Sequence, residues 1–125
     1  MLLFTQVLNK NGTAVINSRL KNYKYFVSKI KSRNLKLITF GSKEVYFTQT
    51  KFLTLNILGK KFYMKGLKLN NIQKENLECA VACALAMNIN KQKIVRSLEK
   101  LKSAPGRFEE IFYKKKSAKI IIDYA

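Results

Sequence analysis

The sequence predicts an α/β fold: a βαβ unit, a small antiparallel meander, two helices and a carboxyl-terminal hairpin. Three observations predict it. Two short β-branched runs, 13–17 and 35–40, enclose a stretch whose apolar residues recur at helical spacing. The middle of the chain then clusters β-formers between isolated glycines. An alanine-rich segment restores the helical period from Glu75 onward. At 125 residues and 14.5 kDa the chain makes one domain at most.

Leu2 to Leu8 reads as the tail of a helix, with Asn11-Gly12 supplying a left-handed stop. Thr13-Ala14-Val15-Ile16-Asn17 reads as a buried strand. Ser18 is placed to cap the helix that follows, whose Leu20, Tyr23, Val27 and Ile30 fall on one face. Leu35 to Phe40 is a second buried strand, stopped at Gly41-Ser42, so strand, helix and strand form one parallel unit. Val45–Thr48, Phe52–Leu58 and Lys61–Met64 then read as an antiparallel meander whose Tyr and Phe residues form the inner face of a sheet.

Helix returns from Glu75 to about Met87, where Leu77, Ala80, Val81, Ala84 and Leu85 share a face. Asn90 caps a further helix with Ile94, Val95, Leu98 and Leu101 inward, ended by Ser103-Ala104-Pro105-Gly106. Arg107–Tyr113 pairs with Ala118–Tyr124 as the final hairpin, and its lysine-rich turn is solvated. The apolar run Ile120-Ile121-Ile122 delivers Asp123 and Tyr124 at its carboxyl end, the position at which open α/β sheets present ligand-binding side chains.

Composition excludes several classes of function. No histidine is present, which removes the Ser-His-Asp and histidine-ligated zinc patterns. The two cysteines, Cys79 and Cys83, lie four apart on an expected helix and read as small buried hydrophobes. No apolar run approaches the roughly 20 residues that span a bilayer, and Met1-Leu2-Leu3-Phe4 lacks the features of a signal peptide, so the expected location is cytoplasmic. The net charge of +18 suggests a polyanionic partner. Only Arg19, Arg33, Arg96 and Arg107 are arginine, however, and the lysines are spread along the chain. That distribution reads as drift toward Lys, Asn and Ile, with a small basic nucleic-acid-binding module as the alternative.

The chain also lacks the parts of a self-contained active site. Its glycines are isolated, and no G-x-x-x-x-G-K-[ST] phosphate loop occurs. Glu109 and Glu110 are adjacent on a strand and point to opposite faces, so they cannot act as an acid–base pair.

Several stretches, taken in order, resemble the second half of the central ATPase domain of the Mur ligases, nearest to the tripeptide synthetase branch that adds the third residue of the peptidoglycan stem peptide to a UDP-MurNAc-dipeptide. Thr13-Ala14-Val15-Ile16-Asn17, preceded by Leu2-Leu3-Phe4, resembles the family's helix end and A-V-I-N strand. Ile72-Gln73-Lys74-Glu75-Asn76-Leu77, leading into Ala80–Met87, resembles its F-[NQ]-x-x-N-x-x-A-A helix start. Pro105-Gly106-Arg107-Phe108-Glu109 resembles P-G-R-[MF]-E, and Asp123-Tyr124-Ala125 resembles the start of the D-Y-A-H-T-P domain hinge. Two positions depart from the pattern. Asn70 stands where a glycine is usual, and Ser18-Arg19 replace small and acidic residues.

The resemblance implies a single partial domain over 1–125, ending at the hinge to an absent third domain. It implies a nucleotide-binding role for Asn76 beside the adenine and ribose, for Arg107 as a fixed cation, and for Asp123 at the ribose hydroxyls. Gln73 and Tyr124 are lesser candidates. Catalytic and metal-ligating residues are expected to lie outside the chain. The parent reaction uses ATP and Mg²⁺ to activate a carboxylate for amide formation. The chain alone, read as a split or decayed piece, is therefore expected to bind no cofactor tightly and to lack ligase activity. One variant of this expectation is a separate chain carrying the phosphate loop and the third domain, with UDP-MurNAc-peptide bound by the parent enzyme.

Overall fold

A computed structural model of the protein describes residues 11–101, 109–113 and 117–123. The expected helix over 2–8, the Pro105–Phe108 turn with Arg107, the lysine-rich turn and Tyr124 lie outside the described residues.

Among the described residues ten elements follow one another. They are β1 (Thr13–Asn17), α1 (Tyr23–Ser32), β2 (Lys36–Phe40), β3 (Val45–Gln49), β4 (Leu53–Ile57) and β5 (Lys60–Tyr63), then α2 (Asn71–Ala86), α3 (Lys91–Glu99), β6 (Glu109–Tyr113) and β7 (Ala118–Ile122). The first five strands form one sheet in sequence order. β1 and β2 run parallel, with Ala14 opposite Leu37 and Ile16 opposite Thr39. A single parallel pairing, Phe40 with Val45, joins β2 to β3, and β3, β4 and β5 then run antiparallel. The βαβ unit and the meander are thus one continuous sheet. β6 and β7 pair only with each other, in a separate two-stranded sheet.

Alternation along β1 explains how the sheet is covered on both faces. Ala14 and Ile16 join Ile30 of α1 and Leu35 in one small cluster. Val15 points the other way and packs with Ile38 against the larger core, which holds Val45, Phe47, Leu55, Ile57, Val81, Ala82, Ile94 and Leu98. Burying one such aliphatic side chain contributes about 1.5–3 kcal/mol, so this second cluster carries most of the stability. α2 lies across β1, β2 and β3 and holds the molecule together.

Several expectations change in detail. Ser18 does not cap α1. The cap position is Asn22, which makes no side-chain cap hydrogen bond, and Leu20 lies outside the helix, exposed. α2 starts four residues earlier than its apolar period suggests, because Asn70 and Gln73 form a reciprocal capping box. Its inner face is centred on Glu78, Val81 and Ala82, while Ala80 is exposed. Cys79 is half-buried but Cys83 is exposed, so only one thiol belongs to the interior. Asn90 caps α3 as expected, its side chain accepting from Gln92 N–H, but Leu101 lies beyond the helix end and is exposed. Phe47 is buried in the meander as expected, whereas Phe52 and Tyr63 point outward.

Candidate functional site

Open α/β sheets bind ligands outside the carboxyl ends of their parallel strands. Here those ends are Asn17 on β1 and Phe40 on β2, and α2 passes beside both. β7 is not part of this sheet. Asp123 therefore follows a strand of the separate hairpin, and the sheet-edge argument for it does not hold. Its side chain is exposed.

Ser18 and Arg19, which both depart from the family pattern, tie the end of β1 to β2 and to α2 respectively. Ser18 donates its N–H to the Phe40 carbonyl at 2.7 Å, and its hydroxyl lies 2.8 Å from the same oxygen. Ser42 N–H donates to Ser18 Oγ at 2.9 Å, and the two hydroxyls are 2.9 Å apart. Arg19 reaches across to α2, with Nη1 at 2.9 Å from Glu78 Oε2 and Nη2 at 3.3 Å from Oε1. Glu78 is fully buried and also accepts the β3 amide of Phe47 at 2.7 Å. One turn earlier on α2, Glu75 accepts from the Asn17 side-chain amide. One helix thus fixes β1 and β3 through two carboxylates, and the bidentate Arg–carboxylate geometry is the strong form of such a pair.

Gly41 completes the edge. Its φ is +108°, and a Cβ there would lie 2.8 Å from Asn17 Oδ1, so glycine is required both by conformation and by space. Phosphate cradles need free backbone amides beside such a glycine. The amides here are committed: Gly41 N–H to the Val45 carbonyl, Arg19 N–H to Asn17 Oδ1, and Ser18 and Ser42 as described. These four amides are taken up by the edge's own hydrogen bonds.

Of the residues singled out from the sequence, Gln73 uses its side-chain oxygen to accept the Asn70 N–H in the capping box. Asn70, the other departure from the family pattern, accepts the Gln73 N–H in return at 2.8 Å. Asn76 lies on the second turn of α2, exposed, its side chain making no hydrogen bond among the described residues. Its amide suits a base edge, which offers both a donor and an acceptor. Arg107 and Tyr124 lie outside the described residues. Asn76 and Asp123 are not joined in one hydrogen-bonded cluster. Glu78 and Arg19 were not anticipated, although a lone acid inside the apolar Leu77–Val81 stretch is a signal for a buried partner. Among the described residues no cluster of three or more Cys, Asp or Glu side chains suits a metal ion, and no helix is long and apolar enough to cross a membrane.

The architecture defines a class: a mixed α/β segment in which a short parallel pair continues into an antiparallel meander under one bracing helix. Known proteins share it. The chain is 26% identical over 133 residues to the UDP-N-acetylmuramoyl-L-alanyl-D-glutamate–2,6-diaminopimelate ligase of Rickettsia typhi, with 98% of the chain covered. It is also 26% identical, over 129 residues, to the enzyme of the same name from Leptospira interrogans. In three dimensions it superposes on MurF of Acinetobacter baumannii with a TM-score of 0.70, at 22% identity over 87% of the chain. No protein-family model matches it. The chain spans about a quarter of the length of these proteins, 26% of the Rickettsia ligase and 25% of the MurF chain. The chain is similar to one segment of the Mur ligases, the family its motifs resemble.

Proposed function

We propose that this chain provides part of the adenosine-facing wall of an ATP-dependent amide-bond ligase of peptidoglycan precursor synthesis, one that adds the third stem-peptide residue, and that it has no ligase activity alone. The observation that carries the reading is its match, along nearly its whole length, to diaminopimelate-adding ligases. Asn76 reads the adenine edge. Arg107 supplies a fixed cation toward the nucleotide, and Asp123 accepts from the ribose hydroxyls. Gln73 serves chiefly to start α2 and so to place Asn76, and Tyr124 flanks Asp123.

The residues fit the nucleoside part of ATP and not its phosphates. The amides of Ser18, Arg19, Gly41 and Ser42 at the carboxyl edge are taken up by its own hydrogen bonds, and the sequence contains no phosphate loop. ATP and Mg²⁺ supply carboxylate activation in the complete enzyme, where the phosphate loop and the amino-acid-selecting domain belong to other parts of the protein or to a partner chain. A cytoplasmic location follows from this role.

The reading predicts weak nucleoside binding only. Titrating the purified chain with ATP–Mg²⁺ and following backbone amide NMR shifts should show a dissociation constant near about 1 mM, some 4 kcal/mol, with shifts centred on α2 around Asn76. Asn76→Ala should abolish those shifts and leave the spectrum otherwise intact. No shifts on α2 at millimolar ATP would remove the nucleotide role. Binding tighter than micromolar would contradict the lack of a phosphate cradle.

A further inference from the structure

The outer face of the β5 edge carries a feature that the ligase reading does not use. β5 is the last strand of the five-stranded sheet. Phe62 of β5 and Met64 just beyond it face the core, so Lys61 and Tyr63 fall on the opposite face. Lys65 lies in the turn that follows, and all three of Lys61, Tyr63 and Lys65 are exposed. Tyr63 pairs with Thr54 of β4, and Phe52, just ahead of that strand, lines the same cleft as Tyr63. Phe52 is 59% and Tyr63 65% exposed, far beyond what aromatic residues in a sheet normally show. Together with Met64 and Lys65 they line an apolar cleft of about 360 Å³. Lys51 Nζ lies 5.8 Å from the Phe52 ring centroid.

Charge is concentrated here as well. No acidic residue occurs between Glu44 and Glu75, whereas Lys51, Lys60, Lys61, Lys65, Lys68 and Lys74 all fall there. The nearby acids are engaged elsewhere: Glu44 accepts from Thr39, and Glu75 and Glu78 brace the far end of the sheet. The lysines of this face therefore meet no counter-charge within their own segment. Exposed aromatic rings interleaved with lysines, on the outer face of an antiparallel sheet, suit one occupant: a flexible polyanion that carries planar groups. We propose that the Phe52–Tyr63 cleft, flanked by Lys51, Lys61 and Lys65, binds single-stranded nucleic acid, with bases stacking on the two rings and lysines on the phosphates.

The platform is built from general chemistry that tolerates any base, so the ligand class is single-stranded DNA or RNA without sequence preference. It lies at the opposite edge of the sheet from β1, and it is independent of Asn76 and of the ligase reading.

Fluorescence anisotropy of the full chain with a labelled 15-nucleotide oligo-dT tests it. Binding should fall with salt along a log–log slope of about −3, as for some four neutralised phosphates on a single strand. Phe52→Ala with Tyr63→Ala keeps the charge and should weaken binding at least about five-fold, the value of one base stack. An abasic oligonucleotide of the same length should bind the original chain as weakly as oligo-dT binds this double variant. Lys61→Gln with Lys65→Gln should reduce the salt slope, while Lys24→Gln with Lys31→Gln on α1, an equal loss of charge at the far edge, should matter less. All these side chains are exposed, so circular dichroism melts should coincide and separate binding from folding. Absence of binding at 50 mM salt, equal loss for both lysine pairs, an unaffected aromatic variant, or binding to phosphatidylserine vesicles but not to the oligonucleotide would each overturn the proposal.

Discussion

Removing the Glu78 carboxylate strands two donors at once, the Phe47 amide and the Arg19 guanidinium. The first is buried and cannot be rehydrated. The second is 46% exposed at its side chain, and water can replace its partner. Glu78→Leu should therefore cost about 1–3 kcal/mol, chiefly the desolvated amide. Arg19→Leu instead leaves the buried Glu78 carboxylate without its cation and should cost more, about 3–5 kcal/mol. Urea unfolding of both variants checks the order, and a smaller loss for Arg19→Leu would show that the backbone bond outweighs the ion pair. Immediately after Glu78, burial, with Cys83 and Glu75 alongside, pushes the Cys79 thiol above its usual range. A thiol with a raised folded pKa keeps its proton longer in the folded than in the unfolded chain. Its contribution is then complete below the unfolded pKa and is lost as pH rises through the folded one. Stability should decline on the alkaline side from about pH 8.5 upward, and Cys79→Ala should flatten that decline. Melting temperatures measured across that range test this, and an unchanged slope would dissociate Cys79 from it.

The β4–β5 connection shows what can and cannot be read from a sequence at the level of elements. Leu58 and Gly59 both have positive φ, +49° and +80°, so the hairpin turns through a two-residue left-handed pair. Leu58 reads from the sequence as the end of a strand, because leucine carries no turn signal, and its backbone is held there by Leu58 N–H donating to the Glu44 carbonyl and by pairing on either side. Asparagine tolerates this conformation where leucine is strained, and Leu58 is 44% exposed and packs little. Leu58→Asn should stabilise the protein by about 1 kcal/mol, seen as a higher melting temperature. A lower one would mean that the Leu58 side chain contributes packing that its exposure conceals. The strands themselves were legible, since β-branched runs bounded by glycine have few other uses. The start of α2 was not, because Asn70 and Gln73 are polar and their mutual hydrogen bonds leave no apolar period. The site was harder still. Asn17–Glu75 and Arg19–Glu78 join residues 58 and 59 apart, a proximity that exists only once β1 and α2 have packed. That β7 stands in a sheet of its own was hidden for the same reason: an apolar strand reads alike whether it joins the main sheet or a separate hairpin.

Across the whole molecule two opposing forces set its behaviour in solution. A charge of +18 makes copies repel one another at low ionic strength. Against this, β6 and β7 expose apolar residues on both faces of a two-stranded sheet: Ile111 pairs with Ile120, and Phe112, Tyr113, Ile121 and Ile122 are exposed as well. Two strands alone are marginal in water, and an apolar patch of this kind drives association. Salt separates the two forces. Screening shortens the reach of the charges from about 10 Å at 0.1 M to 3 Å at 1 M, while burial of apolar surface is not weakened by it. Association should therefore increase with salt, the reverse of what charge-driven contacts would show. Sedimentation velocity between these concentrations should find monomer giving way to larger species. Phe112→Lys with Ile121→Lys, one residue on each strand and both on the same face, should hold the chain monomeric at the higher salt. The substitutions lie outside the five-stranded sheet, so the cooperative melt of the main core should be unchanged. Association that weakens as salt rises would place the contact among the lysines instead, and would turn attention from the hairpin to the basic face of β5.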